Sequence, residues 1–463
     1  MRVNEQDLRR ADSLDRSTKV LISVLGAAAF VAVLDGTAVT ASLEVLRESF
    51  ATDIATIVWV TSGYLVAAGA ALPLVGWASD RYGGRTVFLV GLGMFVAGSL
   101  LTGAAWDVAS LVAFRVIQGF GGGLLEPAAL AVAAALAPRS QVGRVMGRFS
   151  LIINIAPVVG PLLGTLLADN GLWRLTFLIN LPLGVLILLA ALRWVPAPAR
   201  AVAEGPPSAP DIRGMVLLSS GFVAVLWVVN RSADGSAAAQ VIVGAFGAMV
   251  LVGYVVHALT TTRSPVLDLR LLSTPSFAAA LVGMAGVGFL MYSQLTIYPL
   301  LAESRFQLTG LGRGLLTAAL GLGLIVSMSN AGSWSDRIGP RRIVTVGGLI
   351  TTVGFGVLAI TAHLLPLWAS MTVTLVVGLG FGSVASPMFA SVYRILPQAR
   401  IAQGTTALFI VVQLFASAGV TVMGLLIGPD GAPPFATVFA ILAATALAIA
   451  VNALRLPGRP STE

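Results

Sequence analysis

Residues 76–85, Gly76-Trp-Ala-Ser-Asp80-Arg81-Tyr-Gly83-Gly-Arg85, return almost unchanged 256 positions later as Gly332-Ser-Trp-Ser-Asp336-Arg337-Ile-Gly339-Pro-Arg341. Each copy closes one apolar stretch and opens the next. Each offers glycine for a tight turn, beside an aspartate that can cap a helix or pair with an arginine. The same displacement carries the start of the first apolar stretch onto the start of the ninth. A second echo links Gly119-Phe-Gly121 and Pro127 in the fourth stretch with Gly380-Phe-Gly382 and Pro387 in the twelfth. Loop motifs that keep register with the count of apolar stretches indicate a duplication, and the chain reads as two like halves.

The surroundings of these motifs decide the medium. Of 463 residues, 57% are hydrophobic and 10% charged, with a mean hydropathy of +0.93. Soluble domains carry ~25% charged residues, so a water-soluble enzyme is excluded and an all-α integral membrane protein remains. The chain has no cysteine and two histidines, His257 and His363. That leaves no material for a metal centre, a thiol nucleophile or a His-based triad. No Gly-rich loop with a following Lys is present to hold a nucleotide, so neither metal nor cofactor is expected.

A helix needs ~20 apolar residues to cross a bilayer. On that ruler the chain gives fourteen spans, near 20–42, 56–78, 86–105, 108–136, 144–168, 173–194, 212–230, 239–261, 276–301, 311–333, 343–362, 366–393, 402–427 and 435–454. The first lacks a signal-peptide cleavage pattern and is expected to be retained. With a cytoplasmic N-terminus, inside segments hold 22 of the 28 basic residues and outside segments five, Arg47, Arg174, Arg231, Arg305 and Arg313. This is the positive-inside asymmetry. It places both termini in the cytoplasm and accounts for the +8 charge without nucleic acid. Residues 1–195 and 276–463 are then two six-helix bundles in a pseudo-twofold arrangement. Residues 196–275 form a Pro/Ala-rich linker with two additional central helices. Parallel halves about an axis along the membrane normal are a transporter plan, with the binding site between them.

At this level of detail the chain resembles the major facilitator superfamily, and within it the fourteen-helix drug:proton antiporters. Five ordered motifs carry the resemblance: the 76–85 loop; Leu34-Asp35-x-Thr37; Leu111-x3-Arg115-x2-Gln118-Gly119-Phe120-Gly121-Gly122-Gly123; Gly147-x8-Ala156-x3-Gly160-Pro161-x2-Gly164-Thr165; and Trp173-Arg174-x2-Phe177-x-Ile179-Asn180-x-Pro182-x-Gly184. Departures from the usual pattern are Ala78 and Gly84 in the loop, Thr40 and Glu44 after the helix-one motif, and Ala156 and Thr165 in helix five. The resemblance implies a cytoplasmic gating latch at Gly76, Asp80, Arg81, Gly83, Arg85, Asp336 and Arg337. It also implies a contact across the halves along the helix-five motif, Gly147, Ala156, Gly160, Pro161 and Gly164, that guards against leak. Positive-inside anchoring and ordinary small-residue packing are the simpler alternatives for these two motifs.

Three charges fall inside apolar helices, Asp35, Arg115 and Glu126, where each costs ~2.5–3.5 kcal/mol on insertion scales. Asp35 and Arg115 reach similar depth, ~10 Å below the outer surface, and are expected to pair or to share a network with Gln118; a purely structural ion pair is the alternative. Glu126 follows Arg115 by eleven residues, a net rotation of ~20° and a rise of ~16 Å on an ideal helix, so both point from one face. Near mid-membrane and without an evident basic partner, Glu126 is expected to carry the proton and contact a cation. Asp35 is the second candidate, and Arg115 modulates both. A permanently protonated Glu126 is the alternative. The substrate-contacting set is Glu126, Asp35, Gln118, Tyr292, Gln294, Tyr298 and Gln413. Aromatic and amide groups in an apolar cavity suit large lipophilic ligands.

These readings give a non-enzymatic, proton-coupled antiporter, a monomer in a bacterial cytoplasmic membrane. It would export lipophilic, cationic drugs by alternating access, as in multidrug efflux and antibiotic resistance, with the proton gradient as its energy source. The alternatives are proton-coupled transport of one defined metabolite and, further off, a channel or membrane enzyme.

Overall fold

In the computed structural model, the described residues are 16–52, 54–57, 59–136, 141–196, 211–230, 237–261, 265–267, 269–308, 310–396, 400–426 and 433–458. Among them all regular structure is helical, as expected where hydrocarbon offers no partner for a backbone N–H or C=O. The principal helices are α1 (Arg16–Ala41), α2 (Trp59–Tyr82), α3 (Gly84–Gly103), α4 (Val108–Leu136), α5 (Val142–Asp169), α6 (Asn180–Trp194), α7 (Ile212–Asn230), α8 (Ala237–Thr260), α9 (Pro275–Phe306), α10 (Leu315–Ile338), α11 (Pro340–Thr361), α12 (Leu367–Ile395), α13 (Ile401–Leu426) and α14 (Phe435–Asn452). Twelve of the described helices are long and apolar enough to cross a membrane. In α7 and α13 the described apolar stretches, 212–225 and 404–416, are shorter. A short helix, Trp173–Leu178, precedes α6 and breaks at Ile179.

Both copies of the loop motif build the same turn. Gly83 (φ 85°) and Gly339 (φ 86°) are left-handed, and their N–H groups donate to Ser79 O at 2.9 Å and Ser335 O at 3.0 Å. Glycine is required there because a Cβ is disfavoured at such φ by ~1–2 kcal/mol. Gly83→Ala and Gly339→Ala are each expected to lower stability by about that amount, read as a fall in the thermal unfolding midpoint in detergent. α4 starts on a reciprocal cap: Ser110 N–H donates to Asp107 Oδ1 at 2.7 Å, and Asp107 N–H donates to Ser110 Oγ at 3.2 Å. The bond from Ser110 N–H holds the Asp107 carboxyl below its ordinary range, and the Ser110 hydroxyl lowers it further.

The duplication extends to packing. In the first half α1 packs on α5, α2 and α3 on α4, and α3 on α6; in the second, α9 packs on α13, α10 and α11 on α12, and α11 on α14. Each half has its own apolar core, around Leu25, Phe88, Phe95 and Phe149 in one and Phe277, Phe355, Phe381 and Phe439 in the other. The halves meet where α5 lies on α10 and where α2 lies on α13. A twofold that exchanges α2 with α10 and α5 with α13 maps one seam onto the other. α7 and α8 break that symmetry. They cover the α2/α13 seam through Met215, Leu218, Phe222 and Tyr254, which pack on Leu72 and Ile410, and Ser219 Oγ donates to Ala70 O at 3.0 Å.

Candidate functional site

The α1–α4 crossing inside the first half brings Asp35 and Arg115 into direct contact. Arg115 Nη1 donates to Asp35 Oδ2 and, at 2.9 Å, to Gln118 Oε1. Its Nε donates to the Val60 carbonyl at 3.0 Å, and its guanidinium lies 4.2 Å above the Tyr64 ring centroid. Gln118 Nε2 donates to Asp35 Oδ1 at 2.9 Å and to Ser99 Oγ at 2.7 Å. Asn180 Nδ2 reaches the same Asp35 oxygen at 2.7 Å. None of Asp35, Arg115, Gln118, Ser99 and Asn180 exceeds 1% exposure. A buried ion pair depends on hydrogen bonds to its remaining lone pairs and protons. Here Gln118 of α4, Val60 of α2 and Asn180 of α6 supply them, Ser99 of α3 holds both amides, and Arg115 Nη2 is left without a partner.

The expected trio is therefore together, with two partners to which sequence reasoning gave no role. Asn180 belonged to a quoted motif without an assigned task. Ser99, a small polar residue in an apolar helix, carried no signal. Asp35 and Gln118, both expected to touch substrate, are sealed from any cavity in this conformation.

Glu126 sits apart, farther along α4 and half-buried. Among the described residues no hydrogen bond or ion pair reaches its carboxyl group. It lies within electrostatic range of Tyr64 on α2 and of Tyr292 on α9, in the other half. Tyr292 and Gln413 are half-buried. Gln294 is fully buried and donates to Leu290 O of its own helix at 3.1 Å. Tyr298 is equally buried, its ring 6.2 Å from Phe439 in the second core, which makes it a packing residue in this conformation. A small apolar cleft opens between the halves, lined by Pro157 of α5, Met291 and Leu295 of α9, Leu320 and Leu324 of α10, and Phe381 of α12.

Two side chains of the loop motifs bond within their own half, while Gly332, at the start of the second copy, lies against Gly147 of the first half. Arg85 Nη2 donates to Leu192 O, in the last turn of α6, at 3.0 Å, where a cation complements the helix dipole. Asp336 pairs with Arg394 of α12, whose Nη1 also donates to Ser335 O at 3.2 Å. Gly76 is buried in α2, while Arg81 and Arg337 are exposed. The side chains of Asp80 and Pro161 lie outside the described residues.

In helix five, a Cβ on Gly160 would stand 1.9 Å from Thr37 Oγ1, and one on Gly164 2.1 Å from Ala38 O. These two glycines thus pack on α1 of their own half, with Ser42 Oγ donating to Gly164 O at 3.2 Å. Within the motif, the contact across the halves falls at Gly147, where a Cβ would meet Met328 O of α10 at 2.8 Å. Gly147→Val is expected to wedge this seam, costing ~1–3 kcal/mol and slowing transport in reconstituted vesicles.

With this geometry in place, comparison with known proteins agrees. The Major Facilitator Superfamily pattern matches residues 25–419 and again 281–463. The Multidrug resistance protein B homolog of Mycobacterium tuberculosis is 31% identical over 422 residues, covering 90% of this chain and 77% of the relative. A putative multidrug resistance protein, MdtD of Pectobacterium carotovorum, is 28% identical, covering 86% and 84%. The human organic anion transporter MFSD10 shares the fold with a TM-score of 0.68 at 16% identity, over 94% of this chain and 99% of that one. The chain is a multi-pass membrane transporter, not an enzyme, and belongs to the major facilitator superfamily.

Proposed function

We propose that the chain is a proton-coupled antiporter that exports lipophilic, cationic compounds by alternating access. One observation carries this reading. Of the two acids within the spans of the first half, Asp35 is fully bonded, whereas no bond among the described residues reaches the Glu126 carboxyl, which lies within electrostatic range of Tyr292 in the other half. A desolvated carboxyl without a fixed partner is the chemistry that exchanges a proton for a cation. Similarity to multidrug resistance proteins supports the substrate class.

In this reading α7 and α13 also span, giving fourteen crossings with both termini cytoplasmic. Residues 1–195 and 276–463 rock about the midplane in a bacterial cell membrane, each monomer working alone. The test is reconstitution into liposomes under an imposed ΔpH. Lipophilic cations are expected to discharge ΔpH on addition, each with saturable kinetics. Cargo accumulation that persists with ΔpH and voltage both collapsed, or a response to a single polar solute alone, overturns the proposal.

A further inference from the structure

The two amides that meet Asp35 are held differently. Gln118 is fixed at both ends, its Oε1 accepting from Arg115 at 2.9 Å and its Nε2 donating to Asp35 and Ser99. Asn180 is fixed at one end. Its Nδ2 donates to Asp35 Oδ1 at 2.7 Å and to Ser99 Oγ at 3.3 Å, while its Oδ1 is buried with no partner. Asn180 is the first residue of α6, directly after the break at Ile179, and it is wholly enclosed. A buried acceptor left unbonded is costly, and each such group calls for an explanation.

We infer that Asn180 is a two-state positioning residue, which lets Asp35 change its charge inside a sealed site. While Asp35 is ionised, the amide N–H donates to it, as seen. When the carboxylate takes up one proton on Oδ1, delivered by hydronium from the aqueous phase as the crossing opens, the new O–H becomes a donor and needs an acceptor. A half-turn of the amide about Cβ–Cγ presents Asn180 Oδ1 to that O–H. Ser99 Oγ, both donor and acceptor, follows either face of the amide. Gln118 cannot turn without breaking its bond from Arg115. The charged and titratable groups facing Asp35 are Arg115 of α4 and the Tyr64 ring of α2, while α3 and α6 present the uncharged Ser99 and Asn180. The inference deepens the proton-coupled reading and rests on it only for its place in the transport cycle.

The test is infrared difference spectroscopy of the reconstituted protein, titrated between acid and alkaline pH. A carboxylic-acid band should appear on acidification in the wild type and be missing from the Asp35→Asn/Arg115→Met double variant, which strands no charge. With isotope-labelled asparagine in wild-type protein, one side-chain carbonyl band should move over the same titration and stay still in that double variant. Asn180→Leu, which neither donates nor accepts, should shift the acid band and slow ΔpH-driven exchange about tenfold. The labelled band decides the matter even where Asn180→Leu does not assemble. No Asp35 band, or an asparagine band indifferent to it, overturns the inference. Wild-type exchange driven by ΔpH beside a silent asparagine band would leave the antiport reading standing and remove Asn180 alone.

Discussion

Glu126→Gln abolishes ΔpH-driven efflux in inverted vesicles, by about a hundredfold or more, while folding stays near wild type. The substitution keeps the shape of the side chain and removes only its ability to lose a proton. Because no hydrogen bond or ion pair among the described residues ends on this carboxyl, little structural support is lost. That separates the site from Asp35, where any change disturbs a bonded network. Cargo binding in Glu126→Gln should lose its dependence on pH, since a cation and a proton no longer compete for one carboxylate. Tyr292→Phe, on the opposite half, should weaken cargo binding without uncoupling transport. Wild-type coupling in Glu126→Gln would take this residue out of the proton path. Parallel assays of efflux, binding and thermal unfolding on one preparation distinguish uncoupling from misfolding.

Much of this arrangement was legible in the residues, for physical reasons. Gly83 and Gly339 repeat because the same left-handed turn is built twice, and hydropathy marks spans because hydrocarbon tolerates few other structures. Asp35 and Arg115 were paired in advance by depth alone, since a charge that deep needs a partner. What sequence could not supply was which face meets which neighbour. The helix-five motif as a whole was expected across the halves, yet only its first glycine, Gly147, makes the crossing contact, while Gly160 and Gly164 seat α5 on α1. Small residues announce close approach but not its partner. Tyr298 looked like a cavity residue because an aromatic with a hydroxyl suits a ligand, but its helix turns it into the second core. Ser99 and Asn180 enter only through three-dimensional convergence on one carboxylate.

The Asp35–Arg115 pair should show the largest effect on stability, and an unequal one. Removing one partner of a buried ion pair strands the other and costs ~3–5 kcal/mol. In Arg115→Met the stranded group is a carboxylate, which keeps the amide donors Gln118 and Asn180 and can shed its charge by taking a proton. In Asp35→Asn the stranded group is a guanidinium, which cannot be deprotonated in a protein. It keeps Gln118 Oε1, the Val60 carbonyl and the face of Tyr64, but no counter-charge. Asp35→Asn is therefore expected to melt at lower temperature than Arg115→Met in detergent. The Asp35→Asn/Arg115→Met pair should melt above both single variants, because neither charge is left unpaired. A double variant no more stable than the worse single one would mean that packing of α1 on α4, rather than charge compensation, holds this crossing.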